Sequence, residues 1–177
     1  MQDNEKNSLQ SGALNPERDI KALAVAEKLY EEFRNRNKFD NCRHIANHTG
    51  FSIEQIIIIR DYIFENCHWR RDGRFARLDP NYAMAESWRR LSEVDGVHIE
   101  PHNMLMLQHE LYEIDILLRN PKYSITMAHE IAEQKYNYSE ASKKYYEQLF
   151  SRPKREESDS KNSATTETKL QDINAFL

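Results

Sequence analysis

EPHNMLMLQHELYEIDILLR, residues 100–119, decides the architecture. Pro101 stands where a first helical position tolerates proline, and Asn120-Pro121 closes the segment, so a helix is predicted over about residues 102–119. Met104, Leu105, Met106, Leu107, Leu111, Tyr112, Ile114, Ile116, Leu117 and Leu118 leave few polar positions around its circumference. A helix apolar on nearly every side is buried, so this segment is expected to be the central helix of an all-α domain.

The flanking segments agree. Asn15-Pro16 reads as an N-cap followed by proline, opening a helix to about residue 36 with Ile20, Leu23, Ala24, Tyr30 and Phe33 toward a core. Between residues 40 and 65, Ala46, Gly50, Ser52, Ile56 and Ile59 have helix-turn-helix spacing: Gly50 permits a left-handed turn, and Ser52 with Gln55 makes a capping box. CHWRRDGRFARL, residues 67–78, places Asp72-Gly73 between two short arms and predicts one small β-hairpin. Asp79-Pro80 opens a helix over about 80–93 carrying Met84, Ala85, Trp88 and Leu91. Ser124 caps one over 125–137, and Ser139 caps another to about 150.

The domain organisation expected is a flexible N-terminus (1–14), a compact multi-helix domain (15–150) and a disordered C-terminal tail (151–177), whose Ser, Thr, Lys and Glu content cannot support a core. The chain has 177 residues, a formal net charge of −4 and 31% charged residues, so any nucleic-acid contact must come from a local patch. Cys42 and Cys67 lack metal-site spacing and read as reduced thiols. Without a signal-like or membrane-length apolar run, the expected location is cytoplasmic, with no membrane partner.

Chemistry concentrates on two neighbouring helices. His102, His109 and Glu113 are seven and four residues apart on the central helix, and His129 and Glu133 repeat the four-residue spacing on the next. The short connection between the helices makes them antiparallel, so the two His-x-x-x-Glu pairs can face each other. Imidazole and carboxylate together suit a divalent transition metal, giving His109, Glu113, His129, Glu133 and His102 as candidate ligands. The same groups, His109, Glu110, Glu113 and His129, can act as general acid and base without a metal. The plainer alternative is surface ion pairing at i,i+4 spacing. Against it stands the cost of polar groups on an otherwise apolar helix unless they are satisfied or useful.

A second candidate surface is the hairpin, where Arg70, Arg71, Arg74 and Arg77 alternate with Trp69 and Phe75. Such a mixture can stack on bases while neutralising phosphates, unless the arginines simply pair with acidic neighbours. The helix-turn-helix spacing suggests DNA binding by residues 53–64, but Ile53, Ile56, Ile57, Ile58, Ile59 and Ile63 leave only Glu54, Gln55, Arg60 and Asp61 to meet a groove lined with phosphates.

The runs LDPNYAMAESWRRL (78–91), LQHELYE (107–113), Ala128-His129 and KYNY (135–138), with SGALN (11–15) and TGFS (49–52), resemble the C-terminal extension of phage minor head proteins of the Mu type. The same segment occurs on polymorphic-toxin-like proteins of Gram-positive bacteria. The resemblance covers about residues 11–150 and implies a phage- or mobile-element-associated protein of effector or toxin type, without specifying its activity. No capsid-type domain precedes the segment in this sequence, which points away from head assembly. His109, Glu110, Glu113 and His129 fall on shared motif positions, as do Asp79, Tyr82, Trp88 and Arg90; Glu133 and His102 rest on spacing alone. Two functions follow: an effector with a His/Glu site, metal-dependent or acid-base, acting on nucleic acid; or a non-enzymatic helix-turn-helix module that binds DNA, a phage protein or an immunity partner.

Overall fold

The computed structural model describes residues 15–16, 19–69, 73–93 and 95–151. Within them the chain forms seven α-helices and one two-stranded antiparallel hairpin: α1 (Ala22–Asn35), α2 (Lys38–Thr49), α3 (Ile53–Arg60), a π-helical turn (Asp61–Glu65), β1 (Cys67–Trp69), β2 (Phe75–Arg77), α4 (Tyr82–Leu91), α5 (Pro101–Arg119), α6 (Ile125–Lys135) and α7 (Tyr138–Ser151). Helix α5 packs against α3, α4, α6 and α7, the central position its apolar circumference requires. The expected flexible N-terminus (1–14) and the tail beyond Ser151 lie outside the described residues.

The core is aromatic where α1, the π turn and α4 meet. The Phe64 ring lies 4.8 Å from Tyr30, 5.4 Å from Phe33 and 5.1 Å from Trp88. The Trp88 indole N–H donates to Asn41 Oδ1 at 3.1 Å, so its one polar atom is satisfied inside. Three consecutive residues of the π turn, Tyr62, Ile63 and Phe64, are all buried, and Asn66 N–H closes the turn on Asp61 O at 2.7 Å.

Helix starts depart from expectation in three places. α1 begins at Ala22 rather than Pro16; ahead of it Asp19 N–H bonds Asn15 O in one turn, and Asp19 O in turn accepts from Ala22 N–H. The core face of α1 is therefore Ala22, Ala26, Tyr30 and Phe33, while Ile20 is 94% exposed and Leu23 and Ala24 also face outward. α4 is capped by Asn81, whose Oδ1 accepts from Met84 N–H, and not by Asp79. α7 is capped by Asn137, which accepts from Glu140 N–H, and Ser139 is used elsewhere.

The α2–α3 corner is as expected. Gly50 ends α2 with φ 76°, and Ser52 and Gln55 exchange side-chain and backbone hydrogen bonds at the start of α3. Arg60, at the end of α3, is 1% exposed. Its guanidinium donates to Phe33 O and Arg34 O of α1's last turn and pairs with Asp61 and Glu65. It serves as a C-terminal cap for α1.

Open space surrounds the Gly50 Cβ position, so Gly50→Ala should cost only the left-handed backbone strain, about 1 kcal/mol. Ser52→Ala should cost about 1 kcal/mol through loss of the cap. Both are read from urea midpoints at unchanged slope.

Candidate metal centre

α5 and α6 are joined by a turn closed by Tyr123 N–H on Asn120 O, and Ser124 Oγ accepts from Met127 N–H to start α6. Two small residues one turn apart, Ala128 and Ala132, are fully buried against Ile116, with Tyr112, Leu117 and Ile131 packed around them. With only methyl groups between them the helices approach closely, which brings His129 against the Glu113 side of α5.

Three electron-pair donors then converge. His129 Nδ1 lies 3.0 Å from Glu113 Oε2, His109 Nε2 lies 3.1 Å from His129 Nδ1, and His109 Nε2 lies 3.3 Å from Glu113 Oε2. Around an ion bound at about 2.0–2.2 Å, neighbouring ligand atoms stand about 3.0–3.5 Å apart, so this triangle already has the edge lengths of one coordination face. Glu133 brackets the imidazoles from the other side, its Oε1 3.8 Å from His129 Nε2 and 4.0 Å from His109 Nδ1. His109, His129 and Glu133 each offer a donor atom within 4.8 Å of the other two.

The surrounding hydrogen bonds orient the set. His109 Nδ1 faces Tyr136 O at 2.8 Å, so that nitrogen carries the proton and donates, leaving Nε2 for the cluster. Tyr62 Oη donates to Glu113 Oε1 at 2.5 Å, leaving Oε2 for the imidazoles. Ser139 donates to Glu133 Oε1 through both its Oγ, at 2.5 Å, and its N–H, at 3.3 Å. His109 and Glu113 are buried, but His129 is 48% exposed, so the cluster has one wet edge.

Lone pairs this close must be held together by positive charge. Burial alone would lower the His109 pKa; the Glu113 hydrogen bond, the Glu110 charge and the Tyr136 carbonyl outweigh it and raise it to about 9. His129 is also raised, chiefly by Glu113. Burial pushes Glu113 up, but the hydrogen bonds from His109, His129 and Tyr62 win and hold it well below its usual range. Glu110, buried beside it, is driven up by burial and by the Glu113 charge, so it keeps its proton to higher pH. Burial, then the neighbouring Glu113 charge, also raises Tyr62.

Of the residues expected from sequence, His109, Glu110, Glu113, His129 and Glu133 assemble here. His102 does not. Seven residues return it to the same side of α5 but displace it by about 10 Å along the axis. There its Nε2 takes Asn103 Nδ2 at 2.9 Å, its ring packs on Tyr145 at 4.2 Å, and burial with the Arg90 charge lowers its pKa to about 4. It is a neutral core histidine. Tyr62, the Tyr136 carbonyl and Ser139 were not identified from sequence. The one signal for Tyr62 was a phenol inside an apolar run, whose hydroxyl needs a partner.

The expected hairpin forms, with Trp69 opposite Phe75 and Cys67 opposite Arg77, a register one residue away from the one a two-residue Asp72-Gly73 turn would set. Arg70, Arg71 and Asp72 lie outside the described residues. Arg77 donates to Glu65 O at 3.3 Å and pairs with its carboxylate at 3.9 Å. Arg60, a cation that α3 would offer to DNA, is turned into the core.

His109 has a folded pKa above its ordinary 6.5. Its contribution to stability is therefore complete below about pH 6.5 and is lost as pH rises through about 9. Glu110, also raised, acts in the same sense; Glu113, lowered, contributes above 4.5 and loses this in acid. Urea denaturation of metal-free protein should show stability falling between pH 6.5 and 9, and Glu113→Gln should flatten that fall. An unchanged alkaline slope in the variant would contradict the assignment.

Comparison of the chain with family models, with curated proteins and with solved structures finds no match.

Proposed function

We propose that this chain is a phage- or mobile-element-associated effector whose working part is a divalent transition-metal centre held by His109, Glu113 and His129, with Glu133 beside it. The observation that carries the reading is the triangle of donor atoms with edges of 3.0, 3.1 and 3.3 Å, two imidazoles and one carboxylate. Two histidines and a carboxylate would hold such an ion from one side, and the half-exposed edge at His129 opens the cluster to water and substrate. The effector assignment rests on the resemblance of residues 78–91, 107–113 and 128–129 to toxin-type phage extensions.

An ion held there by His109, Glu113 and His129 would supply Lewis acidity, activating water near neutral pH and offsetting a developing negative charge. The chain does the rest. Tyr62 and the Tyr136 carbonyl fix the orientation of Glu113 and His109, Ser139 holds Glu133 at the rim, and Glu110 keeps a proton next to the centre. Without an ion the same residues can still act as acid and base, and metal analysis separates the two versions.

Purified protein titrated with zinc or manganese in a calorimeter should bind one ion. A free concentration a hundredfold above Kd should raise unfolding free energy by about 2.7 kcal/mol. His129→Ala removes a half-exposed side chain, so it should keep the fold and lose the ion. Induced expression should be toxic for the parent, and His129→Ala, with the core variants His109→Ala and Glu113→Ala, should relieve it. Absence of metal binding together with undiminished toxicity in all three variants rejects the proposal.

A further inference from the structure

A groove of about 650 Å³ runs between the β-hairpin and the α5–α6 turn. Trp69 and Phe75 of the hairpin line it together with Leu117, Tyr123, Thr126 and Glu130. We propose that it takes an unpaired base of single-stranded nucleic acid and so makes this polymer the substrate class of the His109–Glu113–His129 centre; the substrate role rests on the metal-centre reading, the binding itself does not.

Placement is the first argument. Leu117 follows Glu113 by four residues on α5, and Thr126 and Glu130 stand three residues before and one after His129 on α6, so the helices that carry the centre also line the groove. His68, which also lines the groove, packs its ring 4.6 Å from Tyr62, the residue that holds Glu113.

Chemistry is the second. Trp69 and Phe75 are 70% and 59% exposed, with ring centroids 5.2 Å apart, whereas the chain's other tryptophan, Trp88, is fully buried. Two large rings held out on a hairpin offer flat apolar faces, and every base has a π-face to lay on them. Glu130 and Thr126 can accept from base N–H groups in the groove. Next in sequence to lining residues Phe75 and Tyr123 are the exposed cations Arg74 and Lys122, and Arg77, whose exposed 3.9 Å pairing with Glu65 is weak enough to exchange for a phosphate, adds a third, in a chain whose net charge of −4 otherwise repels polyanions. Duplex bases are stacked inside their helix and cannot reach the rings.

The test titrates full-length protein, metal-free in chelator and then metal-loaded, with a labelled 12-nucleotide RNA, the DNA of the same sequence, and its duplex. Anisotropy reports binding, and tryptophan emission reports Trp69. Single strands of either sugar should bind and quench emission, with the duplex at least tenfold weaker. Three rim cations set the slope of log affinity on log salt at about −2. Trp69→Ala and Phe75→Ala should each weaken binding about tenfold or more at unchanged thermal midpoint. His129→Ala should bind the strand within about twofold while losing the ion. Metal binding without strand binding overturns this inference and leaves the metal centre standing. Strand binding without metal does the reverse for the substrate role. Equal duplex affinity, or indifference to both aromatic substitutions, also overturns it.

Discussion

A carboxylate removed from water must find positive charge or hydrogen-bond donors, and the structure is arranged around that requirement at Glu113. Its two oxygens receive Tyr62 from the π turn, His129 from α6 and His109 from its own helix. One side chain therefore ties together segments 51 and 16 residues away from it in sequence. The alanines of α6, the tyrosine of the π turn and the carbonyl behind His109 each follow from the need to deliver those partners without leaving another polar atom stranded. Removing a buried partner, Tyr62 or His109, leaves the Glu113 carboxylate short of a donor in the apolar interior, the costly way to disrupt such a network, whereas water can take the place of the half-exposed His129.

Arg60 offers an instructive contrast. It too is a charge buried in the core, but its partners are the carbonyls of α1 and the carboxylates of Asp61 and Glu65. That arrangement closes a helix end. The Glu113 cluster instead reaches the surface through His129, and its donors face one another at coordination distances. A helix pair with helix-turn-helix spacing thus turns a principal cation inward, while the chemistry gathers on the other side of α5. Part of the family-like signature is likewise architecture: Trp88 and Tyr82 are core, and Arg90 donates to Tyr145 Oη at 2.6 Å.

The hairpin adjoins both: Arg77 pairs with Glu65, which also holds Arg60, and the His68 ring lies 4.6 Å from Tyr62, which holds Glu113. Its ladder is only three residues long on each strand, and its outer face carries Trp69 and Phe75 where a purely structural ribbon would carry polar residues. Among the described residues no helix is long and apolar enough to cross a membrane. Tyr123, Ser124, Ile125 and Thr126 line the same groove, at the start of the helix that carries His129.

Local signals sufficed for most of the architecture. The apolar circumference of residues 102–119, the Gly50 turn with its Ser52–Gln55 box, the Ser124 cap and the Asp72-Gly73 hairpin are properties of neighbouring residues, readable before any tertiary contact forms. Helix starts were misread where two cap residues competed, Asp79 against Asn81 and Ser139 against Asn137, because only packing decides which side chain is freed to cap. Four-residue spacing placed His109 with Glu113 and His129 with Glu133, but angular spacing carries no information on axial distance, which is why His102 looked like a partner. That α5 and α6 approach closely enough for an imidazole to meet a carboxylate depends on Ala128 and Ala132 packing across the interface. That Tyr62 completes the centre depends on a π turn formed only against the assembled core. Periodicity determined which residues share a face; only the tertiary structure decided which faces meet, because the distance between helices is set by side-chain volume at their contact.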